Sequence, residues 1–180
     1  MKSNKKKIYI LLTRFEDGGA KALRALTNCY YTHASIGLEE DMNTFYSFVY
    51  KGFIAEKITR YLKPGKENLL CKLYEIEVNE KKYNSIKRMI RFYSNIREKL
   101  HYTRLGVVLC LMKIPFKAER GYFCSQFVAE ILDRAGAAKL NRNSSLYLPT
   151  DLQRLREVKL NFRGTVKEFA HHFGLVPAAI

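Results

Sequence analysis

The chain has 180 residues, 47% hydrophobic and 13% aromatic, which suits one domain over residues 1–180 and excludes a disordered polypeptide. Net charge is +15, from 32 Lys and Arg against 17 Asp and Glu, and so predicts attraction to an anionic surface or polymer without choosing which. Four cysteines without paired spacing fit a reducing compartment better than a disulfide framework; with no CxxC, and with His171 and His172 adjacent, no metal or other cofactor is expected.

The start, Met1-Lys2-Ser3-Asn4-Lys5-Lys6-Lys7, imitates the basic region of a signal peptide. Its apolar run Ile8–Leu12 ends at Thr13-Arg14 with Glu16 and Asp17 close behind, too short for an export signal. A first strand at 7–13 is the better reading, and the expectation is a cytoplasmic protein. A short helix over 18–28 follows, opened by Gly18-Gly19. Next comes a hairpin over 32–50, with Glu39-Glu40-Asp41-Met42-Asn43 as its polar turn. That acidic triplet reads as a solvated turn, since no second ligand cluster accompanies it.

An irregular stretch runs through Pro64-Gly65 to a strand at 69–78. A basic helix then covers about 80–100, with Tyr83, Ile86, Ile90, Tyr93 and Ile96 as its apolar stripe. A helix at 103–112 stops before Pro115, and its apolar run Leu105–Met112 is far shorter than the roughly twenty residues that span a bilayer. A helix at 124–135 ends at Gly136, a short one at 150–156 is opened by Pro149, and a last strand is placed at 157–163.

Cysteine and apolar residues at 124, 127, 128, 131 and 132 form one stripe of the 124–135 helix. Cys124 therefore sits in the first turn, where unpaired backbone N–H groups and the positive end of the helix dipole favour thiolate. Buried cysteines commonly serve only as core filling, which is how Cys29, Cys71 and Cys110 read. Cys124 departs from that pattern if the fold supplies a base. The candidate is His33. Its strand alternates Ala34, Ile36 and Leu38 on one face with His33, Ser35 and Gly37 on the other, and the small second face would let a cysteine helix approach. With a five-residue turn, Leu38 pairs Thr44 and His33 opposes Val49. Ser47 then becomes a diagonal neighbour whose hydroxyl would fix the imidazole tautomer.

These residues resemble the circularly permuted papain-fold hydrolases of the NlpC superfamily, in particular the bacterial YiiX-like group. The stretches that carry the likeness are Lys7–Thr13, Tyr31–Ile36, Phe45–Phe48, Tyr122–Ala129 and Leu148–Leu152. The resemblance implies an α+β fold with a central antiparallel sheet packed against the cysteine-bearing helix. It also implies Cys124 as nucleophile and His33 as general base. Ser47 matches the family's third polar position, where relatives often carry histidine, glutamate or glutamine; Glu56 is the alternative for that role. Tyr31 or Tyr122 would join the Cys124 N–H as oxyanion or substrate-binding donors.

The expected activity is hydrolysis or acyl transfer at an amide or ester bond through a thioester, on a peptide or lipid-like substrate. Two other readings stay open. A nucleic-acid-binding module would use the many cations and aromatics, although no RNA-binding or zinc-finger signature is present. A catalytically retired papain-like scaffold is the other, suggested by serine at position 47.

Overall fold

A computed structural model of the chain describes residues 5–27 and 29–176. The Met1-Lys2-Ser3-Asn4 start and Asn28, the predicted end of the first helix, lie outside these. The fold is α+β, built on one antiparallel sheet of six strands. In chain order the strands are β1 (Lys6–Thr13), β2 (His33–Leu38), β3 (Thr44–Val49), β4 (Gly52–Lys57), β5 (Leu70–Val78) and β8 (Lys159–Thr165). Their spatial order is β4-β3-β2-β1-β5-β8. The helices are α1 (Gly18–Thr27), α2 (Glu80–Asn95), α3 (Arg104–Leu111), α4 (Cys124–Arg134), α5 (Pro149–Leu152) and α6 (Val166–His172). A separate parallel pair, β6 (His101–Tyr102) with β7 (Gly121–Tyr122), leads into α3 and α4.

Strand alternation divides the core between the two sheet faces. Ile8, Ile10 and Leu12 of β1, with Ala34 and Ile36 of β2, pack against α2 and α4 through Tyr83, Ile86, Phe127, Val128 and Ile131. Tyr9 and Leu11 point the other way. They join Phe45, Leu73 and Ile58 beneath Phe169 and Ala170 of α6. The cysteine helix thus lies on β2 and β3. Its inner face buries Phe127, Val128 and Leu132 completely.

The β2–β3 register agrees with the predicted turn, since Ile36 pairs Tyr46 and Gly37 pairs Phe45. Two expectations fail here. The small face of β2 does not receive the cysteine helix: a Cβ on Gly37 would lie 2.6 Å from the Phe45 ring, which fills that side. Helix α4 packs instead on the Ala34 and Ile36 face, where apolar side chains offer more contact area. The stretch read as irregular after position 50 contains β4. Tyr50-Lys51 form a tight turn between Val49 and its partner Gly52, whose φ is 99°. A side chain at Gly52 would also strike the Leu100 carbonyl oxygen at 2.7 Å, so glycine is required there for conformation and for space.

Candidate active site

Cys124 is the first residue of α4, and Phe123 before it supplies no side-chain cap. The first intrahelical bond runs from the Phe127 N–H to the Phe123 carbonyl, so the N–H groups of 124–126 have no helical partner. The Ser125 N–H, together with the Ala34 N–H of β2, turns to the Cys124 sulfur and lowers its pKa. Ser125 is held by its own hydroxyl, which donates to the Tyr147 carbonyl at 2.7 Å. One free donor of the buried helix end and one N–H of β2 thus serve the same sulfur.

His33 begins β2 and is 5% exposed, and its side chain meets Cys124. Its Nε2–H donates to Glu56 Oε1 at 3.0 Å. With Nε2 committed, Nδ1 is the ring nitrogen left to the sulfur. Phe15 packs on the imidazole with ring centroids 5.2 Å apart. Glu56, on β4, is as buried as the histidine, and its Oε2 accepts from the Tyr61 hydroxyl at 2.7 Å. The resulting chain is Cys124–His33–Glu56–Tyr61, drawn from α4, β2, β4 and the 3-10 turn Ile58–Tyr61.

The electrostatics favour an ion pair. Burial alone would push the imidazole down, but the Glu56 carboxylate and the Cys124 sulfur outweigh it and raise His33. Burial would raise Cys124, but His33 and the two backbone N–H groups lower it. Burial works against the Glu56 carboxylate too, and His33 and Tyr61 hold it ionised. Cys71 and Cys110 behave oppositely. Burial lifts Cys71 to about 12 and Cys110 to about 11, leaving both as inert thiols.

The remaining predicted residues lie elsewhere. Ser47 is fully buried, and its hydroxyl donates to the Ala34 carbonyl at 2.6 Å rather than to the imidazole. The bond steadies β2 beside His33, while Glu56 holds the ring. The Tyr122 hydroxyl accepts from Tyr93 at 3.0 Å and donates to Glu130 Oε1 at 3.3 Å, inside an aromatic cluster with Phe48 and Phe127. Tyr31 is buried in the main core, with Lys72 Nζ 5.5 Å from its ring centre. Tyr102 on β6 lies within electrostatic reach of Cys124. Burial first, and then the charge of the sulfur, raise its pKa and keep its hydroxyl a donor. Nothing in the sequence around Tyr102 singles it out, because its place depends on the parallel pairing of Tyr102 with Tyr122.

No group of three or more His, Cys, Asp or Glu side chains among the described residues is arranged to hold a metal ion. Among them, too, no helix is long and apolar enough to cross a membrane. No family model matches this chain, and no curated protein sequence matches it at a significant level.

Proposed function

We propose that this protein is a cysteine-dependent hydrolase or acyltransferase acting on an amide or ester bond, built on a permuted papain-like fold of the NlpC type. The observation that carries the reading is the junction of Cys124, His33 and Glu56, three residues remote in sequence, inside one buried contact chain. The thiolate attacks the substrate carbonyl carbon and forms a tetrahedral oxyanion. The Cys124 N–H, with Tyr102 as second donor, receives the negative oxygen. The His33 imidazolium then gives its proton to the departing amine or alcohol as the C–N or C–O bond breaks, leaving a thioester on Cys124. Neutral His33 next takes a proton from water or an acceptor nucleophile. That oxygen or nitrogen attacks the thioester carbonyl carbon, the C–S bond breaks, and the acyl product leaves while the Cys124 thiolate and His33 imidazolium are restored. Glu56 stabilises the imidazolium and keeps the ring aligned throughout.

The substrate carries its amide or ester bond on a peptide or a lipid-like molecule. The nucleic-acid reading has less support, because Phe45, Phe48, Phe127 and Tyr93 are core residues and not exposed stacking platforms.

Competitive labelling with a limiting thiol alkylator across pH, followed by peptide mapping, tests the proposal. Cys124 should react ahead of Cys29, Cys71 and Cys110 below pH 7, and His33→Ala should abolish that preference. Equal reactivity of all four thiols would defeat the assignment.

A further inference from the structure

Beyond the thiol crevice, the outer side of β4 borders a cavity of about 580 Å³, within the size range of small-molecule sites. Glu56 and Tyr61, the far end of the chain that begins at Cys124, form part of its wall. Four cations, Lys57, Arg60, Lys66 and Arg97, line the rest together with the apolar side of β4. They come from the end of β4, the 3-10 turn after it, the loop before β5 and the turn after α2. None of the four side chains is in an ion pair among the described residues.

The one carboxylate in the cavity lining is already engaged. The Glu56 charge is neutralised by His33 and bonded by Tyr61. Glu67 accepts from the Lys66 backbone N–H at 3.0 Å, and Asp41 is within electrostatic reach of Lys57. Four like charges gathered on one concavity repel each other, and an anionic guest relieves that repulsion. Two arginines from separate segments present planar donor forks of the kind that grip phosphate oxygens.

We propose that this cleft is a binding site for a phosphate-bearing ligand, distinct from the thiol crevice and separated from it by the His33–Glu56 pair. The ligand's phosphate sits among Arg60, Arg97, Lys57 and Lys66. The source is either a soluble phosphorylated compound or the headgroup of a phospholipid.

Calorimetric titration of the full chain with inorganic pyrophosphate is the test, run beside sedimentation with vesicles of phosphatidylglycerol in phosphatidylcholine. The double variant Arg60→Glu/Arg97→Glu should weaken pyrophosphate binding at least tenfold. A control with the same charge change on exposed positions elsewhere, Arg88→Glu/Lys139→Glu, should change it less than twofold. Circular dichroism melting establishes that both variants are folded. Vesicle binding that pyrophosphate displaces and the cleft variant loses identifies a lipid headgroup. Vesicle binding indifferent to the cleft variant, with pyrophosphate binding intact in the parent, identifies a soluble ligand. Failure of the parent to bind in both arms, or equal losses in the two double variants, overturns the site. Cys124→Ala should retain full pyrophosphate affinity, so the result stands apart from the question of catalysis.

Discussion

At the scale of single residues, Glu56 is where the geometry departs most from the serine-based expectation. A carboxylate bonded to a buried imidazole stabilises its protonated form, which a hydroxyl does far less well. Glu56→Gln removes that charge while keeping the size of the side chain. In steady-state assays on ester substrates, once one is found, it should lower kcat/KM by about 10²-fold or more, within the usual range for a disrupted acid–base group. Ser47→Ala should leave activity within a few-fold, because its hydroxyl serves the Ala34 carbonyl.

The pH profile follows from the directions of the shifts. Cys124 is lowered, so the acid limb falls below the ordinary thiol range; His33 is raised, so the alkaline limb lies above the ordinary imidazole range. The active form exists between the two. Removing the Glu56 charge lowers His33, so the alkaline limb in Glu56→Gln should move down in pH. An unchanged alkaline limb would show that Glu56 does not support the imidazolium. The place of Cys124 in the first turn of an amphipathic helix and of His33 at the start of a strand were legible in the sequence, but the sheet face on which that helix lies was not. Tyr102 carried no such signal.

At the scale of elements, β4 and the turn before it decide the site. Gly52→Ala places a Cβ in a left-handed backbone conformation and against the Leu100 carbonyl, at a cost of about 1–3 kcal/mol. The strand it opens delivers Glu56 to His33. The variant should therefore lower the melting temperature and also erode the preferential labelling of Cys124. Loss of stability with undiminished Cys124 selectivity would uncouple the turn from the site. The turn signal, Lys51-Gly52 ahead of Phe53 and Ile54, was present in the sequence. A two-residue hairpin loop leaves no polar stretch to separate the two strands, so the signal is weak.

Helix α6 lies beyond the predicted elements for a different reason. Its Thr165 and Glu168 form a reciprocal capping box, a local signature of a helix start, at the end of a strand predicted to stop at 163. Thr165→Ala should cost about 1 kcal/mol, read as a lower denaturation midpoint in urea at unchanged slope.

At the scale of the whole molecule, the fold combines a strongly apolar two-faced core with a surplus of positive charge. Phe127 is fully buried among Phe48, Phe53 and Tyr93, so Phe127→Ala should destabilise the protein by about 3–5 kcal/mol in equilibrium unfolding. With a net charge of +15, self-repulsion opposes the compact state. Raising sodium chloride from about 0.01 to 0.1 M shortens the screening length from about 30 to about 10 Å and should raise the melting temperature. A falling melting temperature would mean that the surface ion pairs outweigh the repulsion.

The sequence by itself determined the strands at β1, β2, β3 and β5, the amphipathic helices α2 and α4, and the β2–β3 register. Each of these rests on local periodicity or turn length, which neighbouring residues encode. Only the tertiary structure decided which sheet face receives α4, that Glu56 rather than Ser47 holds the imidazole, and that Tyr122 belongs to the core. Those outcomes depend on which side chains fill space between segments remote in the chain, and no local pattern carries that information.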